Sequence, residues 1–347
     1  MVKSKFEKLL EEYDYSLPEE FIAQAPANPR DSAKLLVYDK KTMQTKIDIF
    51  KNLVTYLPKN SVLVFNNTKV IPARLKVKKP TGGLVEILFL EKEDNNIRVL
   101  ANKKLEEGLT LYLNTDISFT VLEKINNEYI LKPSFALQDL FSVLDKYGTT
   151  PIPPYIKHTT LSEKKLRTEY QTVFAKDKGS VAAPTASLHF TEQLLKEIKN
   201  AGHKIYYVTL HVNLGTFAKL TEKHVNENKL HAEYYEIDKA TLEKLNLEKK
   251  SQKNIIAVGT TVVRTLESAS DKNGTLITSS KTTDLFITDK TKLQFVDSVI
   301  TNFHVPKSSL LMLIASFIGR KKLFELYKIA QKNNFRFFSF GDGMFVS

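Results

Sequence analysis

Five of the seven histidines of this chain lie in or beside segments that are poor in large apolar side chains. Residues 179–191, GSVAAPTASLHFT, form one such segment, in which Pro184 disfavours helix before it and small residues allow close approach to the backbone. Histidine exchanges protons near neutral pH. The segments predict a shared pocket, whose candidate acids and bases are His189, His211, His231 and His304, with His224 at its edge. The alternative for each histidine taken alone is a structural role.

Three carboxylates are candidate catalytic groups. Asp297 and Asp342 lie where a predicted strand meets a loop, in FVDSVI and FGDGM, and Glu233 lies between His231 and Tyr234. A carboxylate there can orient an imidazole, bind a sugar hydroxyl or abstract a proton. We expect Glu233→Gln and His211→Ala to abolish turnover and to leave the fold intact.

Several chemistries are excluded by what the sequence lacks. The chain has no cysteine, which excludes disulfides, thiolate zinc sites, iron–sulfur clusters and cysteine nucleophiles. The His-x-Glu pattern at 231–233 therefore cannot belong to a zinc deaminase, whose site needs cysteine ligands. No helical His pair at i, i+4 is evident, and the motifs of serine hydrolases, dinucleotide-binding turns and P-loops are absent. We expect a site without a metal ion.

A predicted buried strand, NIIAV at 254–258, runs into Gly259, Thr260 and Thr261 and then a predicted helix. The free backbone N–H groups of such a helix start can hold an anion or a carboxylate. The alternative is plain capping of the helix by a threonine side chain. Ser308 is predicted in the same way to cap the apolar helix that follows Pro306.

The charge of the chain indicates a polyanionic partner. Lys and Arg number 51 against 39 Asp and Glu, a formal net charge of +12, which favours binding to phosphates. The alternative is a general lysine bias of the source. The candidate contacts to a nucleic acid are Arg30, Arg74, Arg264 and Lys307.

The order of predicted elements indicates an α/β core domain with a mixed sheet and an inserted all-β, barrel-like domain. Short β-rich runs separated by turn pairs fill about residues 75–134, whereas strands and helices alternate on either side. We place the core at 1–74 and 149–347 and the insertion at 75–148. The N-terminus lacks a signal peptide and the longest apolar run, 310–318, is far shorter than the roughly 20 residues of a membrane span. We therefore expect a cytoplasmic monomer.

A set of longer segments carries a resemblance to a known family. They are FIAQAPANPRDSAKLLV, LVFNNTKVIPARL, GTTPIPPYI, EYQTVFAKDKGSVAAPTASLHFT, TLHVNLGTF, LHAEYYEI, IIAVGTTVVRTLES, VDSVITNFHVPKSSLLMLIASF and FRFFSFGDGM. In this order they resemble the S-adenosylmethionine:tRNA ribosyltransferase-isomerases of queuosine biosynthesis. The resemblance extends from about residue 13 to 344 and is weakest in the predicted β insertion.

The resemblance implies a reaction and a set of contacts. The ribosyl part of S-adenosylmethionine would be transferred to 7-aminomethyl-7-deazaguanine at the wobble position of tRNA, giving epoxyqueuosine and releasing adenine and methionine. A sulfonium acidifies its neighbouring C–H, so a histidine or carboxylate can act as the base and another acid can assist adenine departure. The positions implied to bind the cosubstrate are Gly179, Ala183, Pro184, Thr185, Gly215, Thr216, Gly259, Thr260, Thr261 and Asp342.

The chain departs from the usual family pattern at a few positions. Asn213 and Leu214 replace small residues before Gly215, and Asn67 and Lys69 stand where Asp and Arg are usual, so neither of these two is placed in the catalytic set. Two other functions are compatible with parts of the sequence. An RNA-binding module explains the charge but not the histidine segments, and a methyltransferase lacks the expected Gly-rich turn.

Overall fold

The computed structural model describes residues 3–213 and 220–347, so Gly215 and Thr216 lie outside the described residues. The largest element is a nine-stranded mixed sheet with the order β15-β13-β12-β3-β14-β16-β17-β1-β2. Its strands are β1 Lys34–Tyr38, β2 Thr45–Ile49, β3 Val62–Asn66, β12 Lys204–Leu210, β13 Lys229–Glu236, β14 Ile255–Val258, β15 Ser280–Leu285, β16 Ser298–Asn302 and β17 Gly343–Val346.

The centre of this sheet is parallel, because β12, β3, β14 and β16 run in the same direction as neighbours. Every residue of β3, β14 and β16 is buried. Such strands are largely apolar because helices cover both faces of a parallel sheet. The carboxyl ends of these four strands therefore meet at one edge, the position where open α/β sheets bind their ligands.

Helices and short 3-10 turns surround the sheet. The helices are α1 Lys5–Glu12, α2 Leu140–Tyr147, α3 Glu163–Glu169, α4 Glu192–Asn200, α5 Glu222–Glu227, α6 Lys239–Lys250, α7 Thr260–Ala269, α8 Ser309–Ile318 and α9 Arg320–Lys332. The 3-10 segments are Glu19–Phe21, Arg30–Ser32, Phe50–Tyr56, Leu137–Asp139 and Thr185–His189. Among the described residues, no helix is both long enough and apolar enough to cross a membrane.

Six strands close into an antiparallel barrel with the order β10-β7-β6-β5-β8-β9. They are β5 Arg74–Lys78, β6 Leu84–Glu93, β7 Asn96–Ala101, β8 Thr110–Tyr112, β9 Ser118–Ile125 and β10 Glu128–Pro133, while β4 Thr68–Val70 and β11 Asp177–Ser180 pair separately. The barrel has its own apolar core, which includes Val77, Val99, Leu111, Phe119 and Leu131. The predicted fold class, an α/β core with a mixed sheet and an inserted barrel-like unit, is confirmed. The domain boundaries at 74/75 and 148/149 stay a prediction.

Candidate active site

A cavity lies at the carboxyl edge of the parallel strands, and the space in and in front of it, open solvent included, is about 580 Å³. Its wall includes residues at or just after the ends of three of these strands: Val212 two residues after β12, Gly259 after β14 and Asn302 at the end of β16. The predicted residues Ala183, Pro184, Thr185, Thr260, Thr261 and His304 also line it. We call it the main cavity. Its position agrees with the general rule for ligand sites in open α/β sheets.

A smaller cavity adjoins the main one, with about 420 Å³ of space when open solvent is included. Thr260, Thr261 and Leu310 line both, so the first turn of α7 separates the two. The predicted residues His231 and Arg264 line this second cavity. The structure thus places most of the predicted segments that are poor in large apolar side chains around these two cavities.

Asn302 lines the main cavity and connects two predicted residues, Thr185 and His189. Its Oδ1 accepts a hydrogen bond from Thr185 Oγ1 at 2.8 Å, and its Nδ2 lies 3.3 Å from His189 Nε2. Because the amide nitrogen is a donor, His189 Nε2 is the acceptor in this contact. Sequence reasoning missed Asn302, although its position immediately before Phe303 and His304 at a strand end was a usable signal.

His189 is buried and neutral. Its ring stacks on Phe50 with 4.6 Å between centroids. Burial lowers its pKa to about 3, and the positive charges of Arg336 and Arg30 act in the same direction. A neutral ring whose Nε2 already accepts a hydrogen bond is suited to holding Asn302 and Thr185 in place. It is not suited to taking up a proton at neutral pH.

His304 is also buried within the main cavity wall. Its Nε2 lies 2.8 Å from Thr301 Oγ1, and its backbone N–H donates to Tyr327 Oη at 2.8 Å. Burial lowers its pKa to about 3. His304 is therefore a neutral hydrogen-bonding group near neutral pH.

The lowered pKa values of His189 and His304 predict that the stability of the fold decreases as the solution becomes acidic. Their pKa is depressed in the folded state, so the unfolded chain binds protons first, and the stabilisation present above about pH 6.5 is lost toward pH 3. Between pH 7 and pH 5, each of these histidines is expected to lower the free energy of unfolding by about 2 kcal/mol. Urea unfolding of the wild type and of His304→Gln at both pH values measures this. The variant is expected to lose less stability than the wild type between pH 7 and 5.

His158→Gln is the matched control, because His158 is exposed and lines neither cavity. It should keep the wild-type difference between the two pH values. A His304→Gln variant with the full wild-type difference would show that His304 is protonated in the folded protein as easily as in the unfolded chain.

His211 lies beside the cavities, after the end of β12. Its Nδ1 is 2.8 Å from Thr68 Oγ1. A Cβ atom at Gly179 would lie 2.9 Å from His211 Cε1, so the absence of a side chain at Gly179 makes room for this ring. Desolvation lowers the pKa of His211, while the nearby charges of Asp177 and Glu236 raise it. The structure therefore gives Gly179 a role in seating His211, and it does not place Gly179 in a cavity wall.

Glu233 and Arg264 form a buried ion pair next to the second cavity. The Arg264 guanidinium donates to Glu233 Oε2 and also to the backbone carbonyls of Thr283, His231 and Leu285. Glu233 Oε1 accepts from the Asn213 N–H at 3.2 Å. The guanidinium thus holds the strands around the second cavity together.

His231 is exposed at the edge of the second cavity. Its ring meets that of His224 edge to face with 4.7 Å between centroids. The positive form of His231 adds to the burial that lowers the pKa of His224. Among the predicted histidines, His231 is the one that both borders a cavity and is open to solvent.

The helix caps differ from the prediction. The residue before α7 is Gly259, with φ of 95°, and no side chain caps the helix. Thr260 is the first helical residue, so the predicted threonine cap is wrong. Ser308 does occupy the N-cap position of α8, but its hydroxyl donates to the Val305 carbonyl at 2.7 Å and caps no N–H group.

Two predicted carboxylates lie away from both cavities. Asp297 precedes β16 at the amino edge of the sheet, where its carboxylate accepts from Lys249 Nζ at 2.7 Å and from the Ile255 N–H at 2.9 Å. A catalytic role is not supported, because the strand length separates it from the carboxyl edge. Asp342 is buried and accepts from Arg336 and from the Lys34 N–H, so its oxygens are already bound within the fold.

The predicted tRNA contacts are partly occupied by the protein itself. Arg264 is buried, so this geometry does not support a contact with a nucleic acid. Arg30 pairs with Glu169 and Arg74 with Glu86, each with a partly exposed side chain. Lys307 is about half exposed and lies 3.0 Å from Asp14. Arg30, Arg74 and Lys307 stay predictions.

Two aromatic residues, Tyr155 and Phe303, complete the wall of the main cavity. Tyr155 Oη lies 2.6 Å from Ser339 Oγ, and its ring packs at 4.9 Å from that of Phe338. Burial raises the pKa of Tyr155 to about 12. Phe303 also lines the cavity. Such rings offer flat apolar faces to a heterocyclic base.

The residues described by the structure contain no group of three or more His, Asp or Glu side chains placed to hold a metal ion. The fold and the paired cavities define an α/β protein with an inserted barrel and a ligand site at the carboxyl edge of its parallel strands. Comparison with known proteins gives the family.

The family model described as queuosine biosynthesis protein matches residues 10–346. The S-adenosylmethionine:tRNA ribosyltransferase-isomerase of Aquifex aeolicus is 44% identical over 97% of this chain and 99% of its own length. The protein of the same name from Fusobacterium nucleatum is 45% identical over 99% of this chain and 98% of its own. The crystal structure of S-adenosylmethionine tRNA ribosyltransferase from Thermotoga maritima matches with a TM-score of 0.55 and 32% identity, covering 97% of this chain and all of that one. The chain belongs to the queuosine biosynthesis protein family, as the sequence resemblance predicts.

Proposed function

We propose that this chain is an S-adenosylmethionine:tRNA ribosyltransferase-isomerase. It transfers and isomerises the ribosyl moiety of S-adenosylmethionine onto 7-aminomethyl-7-deazaguanine at the wobble position of tRNA. The product is epoxyqueuosine in tRNA, with adenine and methionine released. The reaction predicted from the sequence agrees with the names of relatives that match nearly the whole chain.

The structural observation that carries the proposal is the pair of adjoining cavities at the carboxyl edge of the parallel strands. Together they offer aromatic faces, hydroxyls, the neutral His304 ring and helix starts. A cosubstrate with a nucleoside half and an amino-acid half needs two connected spaces of different character. The main cavity supplies aromatic and polar groups, and the second supplies a mainly apolar wall.

The protonation states divide the roles of the histidines. His189 and His304 are held neutral by burial and act as hydrogen-bonding groups toward the substrate or toward Asn302 and Thr301. His231 borders the second cavity and is open to solvent, so it is our candidate for proton transfer. A base is needed because the sulfonium of the cosubstrate acidifies the adjacent C–H, and an acid is needed as adenine departs.

The test is mass spectrometry of tRNA that carries 7-aminomethyl-7-deazaguanine after incubation with the protein and S-adenosylmethionine. Adenine and methionine are followed in the same reaction. The expected result is a ribosyl-derived mass gain with release of both products, which His231→Gln slows and the control His158→Gln does not. Transfer of a methyl group would instead establish a methyltransferase. Binding of tRNA without any mass gain would favour the RNA-binding module.

A further inference from the structure

We propose that the first turns of α7 and α8 together form the binding site for the carboxylate of S-adenosylmethionine, an inference that rests on the proposed function. The two helices contain ten residues each and begin at the same place. Thr260 and Thr261 open α7, Ser309 and Leu310 open α8, and all four residues line the second cavity. Two helix N-termini therefore face one space, and each contributes partial positive charge to it.

The backbone N–H groups of both first turns are available to a ligand. The first N–H groups of an α-helix have no partner within the helix. Neither helix has a side-chain cap, since Gly259 has no side chain and the Ser308 hydroxyl donates to Val305 instead. The N–H groups of Thr260, Thr261, Ser309 and Leu310 make no backbone or side-chain hydrogen bond within the described part of the chain. They can serve as donors to an oxyanion.

The Thr260 side chain is a second, independent sign of a ligand. Thr260 is only 8% exposed, and it lines both cavities. Its hydroxyl has no hydrogen-bond partner among the residues that the structure describes. A hydroxyl that lines a cavity and has no protein partner is available to donate a hydrogen bond to a bound group.

The surroundings favour a carboxylate over a tRNA phosphate. Among the residues that the structure describes, no lysine lines either cavity, and the Arg264 guanidinium of the second cavity is already bound to Glu233. Phosphate sites on nucleic-acid-binding proteins rely largely on lysine and arginine. Leu230, Leu285, Ile287 and Leu313 form an apolar wall beside the helix starts, which suits the methylene groups of a methionine.

Ser309→Pro removes one of the proposed donors and keeps the helix. Proline is favoured at the first helical position, because its fixed φ fits and the N–H there has no intrahelical partner. The preceding residue Ser308 has ψ of 153°, the extended conformation that a following proline requires. Ser309→Ala is the matched control, because it removes the same hydroxyl and keeps the N–H group.

Calorimetric titration of both variants with two ligands isolates the contribution of the carboxylate to binding. The ligands are S-adenosylmethionine and its decarboxylated analogue, which keeps the sulfonium and the amine. We expect Ser309→Pro to bind S-adenosylmethionine about tenfold more weakly than Ser309→Ala, the usual effect of losing a hydrogen bond to a charged group. The decarboxylated analogue should bind both variants equally.

Thr260→Val tests the same site without changing the backbone, and it decides the matter if Ser309→Pro does not fold. It should lower the affinity for S-adenosylmethionine at least fivefold and leave the affinity for the decarboxylated analogue unchanged. Thr265→Val is its control, since the Thr265 hydroxyl bonds to the Thr261 carbonyl and lies outside both cavities.

The remaining outcomes separate this inference from the proposed function. If the variants lose affinity for both ligands equally, or for neither, and the enzyme still modifies tRNA, the proposed carboxylate site is overturned and the proposed function stands. A raised KM for tRNA with an unchanged affinity for S-adenosylmethionine would assign the helix starts to a phosphate. Wild-type protein that binds no S-adenosylmethionine would overturn the proposed function and the inference with it.

Discussion

Glu233→Gln is expected to lower the free energy of unfolding by about 3–5 kcal/mol, because it leaves the buried Arg264 guanidinium without its counter-charge. The sequence alone led us to expect that this change would leave the fold intact. The structure alters that expectation, since Glu233 links Arg264 to the backbone of Asn213. Urea unfolding at pH 7 measures the loss.

Glu325→Gln is the matched control for this change. Glu325 forms a solvent-exposed pair with Lys322 on α9, and such pairs contribute at most about 1 kcal/mol. The double variant Glu233→Gln, Arg264→Met should recover part of the loss, because no unpaired charge is then buried. An unchanged urea midpoint for Glu233→Gln would mean that the pair contributes nothing to stability.

Asn302→Leu is expected to lower the rate of adenine release about 100-fold. The leucine has a similar volume but cannot hold Thr185 Oγ1 or His189 Nε2, so Thr185 in the main cavity wall and the neighbouring His189 both lose a hydrogen bond that fixes their positions. Displacement of positioned groups by about 1 Å is enough for an effect of this size. Single-turnover measurement of adenine release with saturating S-adenosylmethionine separates this loss from weaker binding.

Asn246→Leu makes the same chemical change elsewhere. The Asn246 side chain bonds to the backbone N–H and carbonyl of Leu276, and it lines neither cavity. It should lose stability and keep the wild-type rate in the folded protein. An Asn302→Leu enzyme that is folded and as fast as the wild type would remove Asn302 from the site. Asn302→Asp tests the direction of the hydrogen bonds, since a carboxylate cannot donate to the neutral His189 ring.

The order and type of the elements follow from local sequence features. Continuous apolar runs such as residues 255–258 form the buried parallel strands, and turn pairs such as Asn126-Asn127 separate strands of the barrel. Both signals depend on residues close together in the chain, so the α/β core and the inserted barrel could be predicted. Low-bulk segments likewise marked most of the cavity wall, because close approach to a ligand requires small residues there.

The roles of particular side chains depended on contacts between residues far apart in sequence. Arg264 pairs with Glu233 across 31 positions, and Asn302 contacts His189 across 113 positions. The sequence gives both Asp297 and Glu233 as candidate carboxylates, yet Asp297 lies at the opposite edge of the sheet.

The sequence by itself determined the family, the fold class and the segments that form the site, because these rest on composition, periodicity and motif order. Only the tertiary structure decided which histidines are neutral, which carboxylates are already bound by other groups of the protein and which helix N-termini face a cavity. Burial and pairing set the protonation and availability of a group, and both arise only when distant parts of the chain come together.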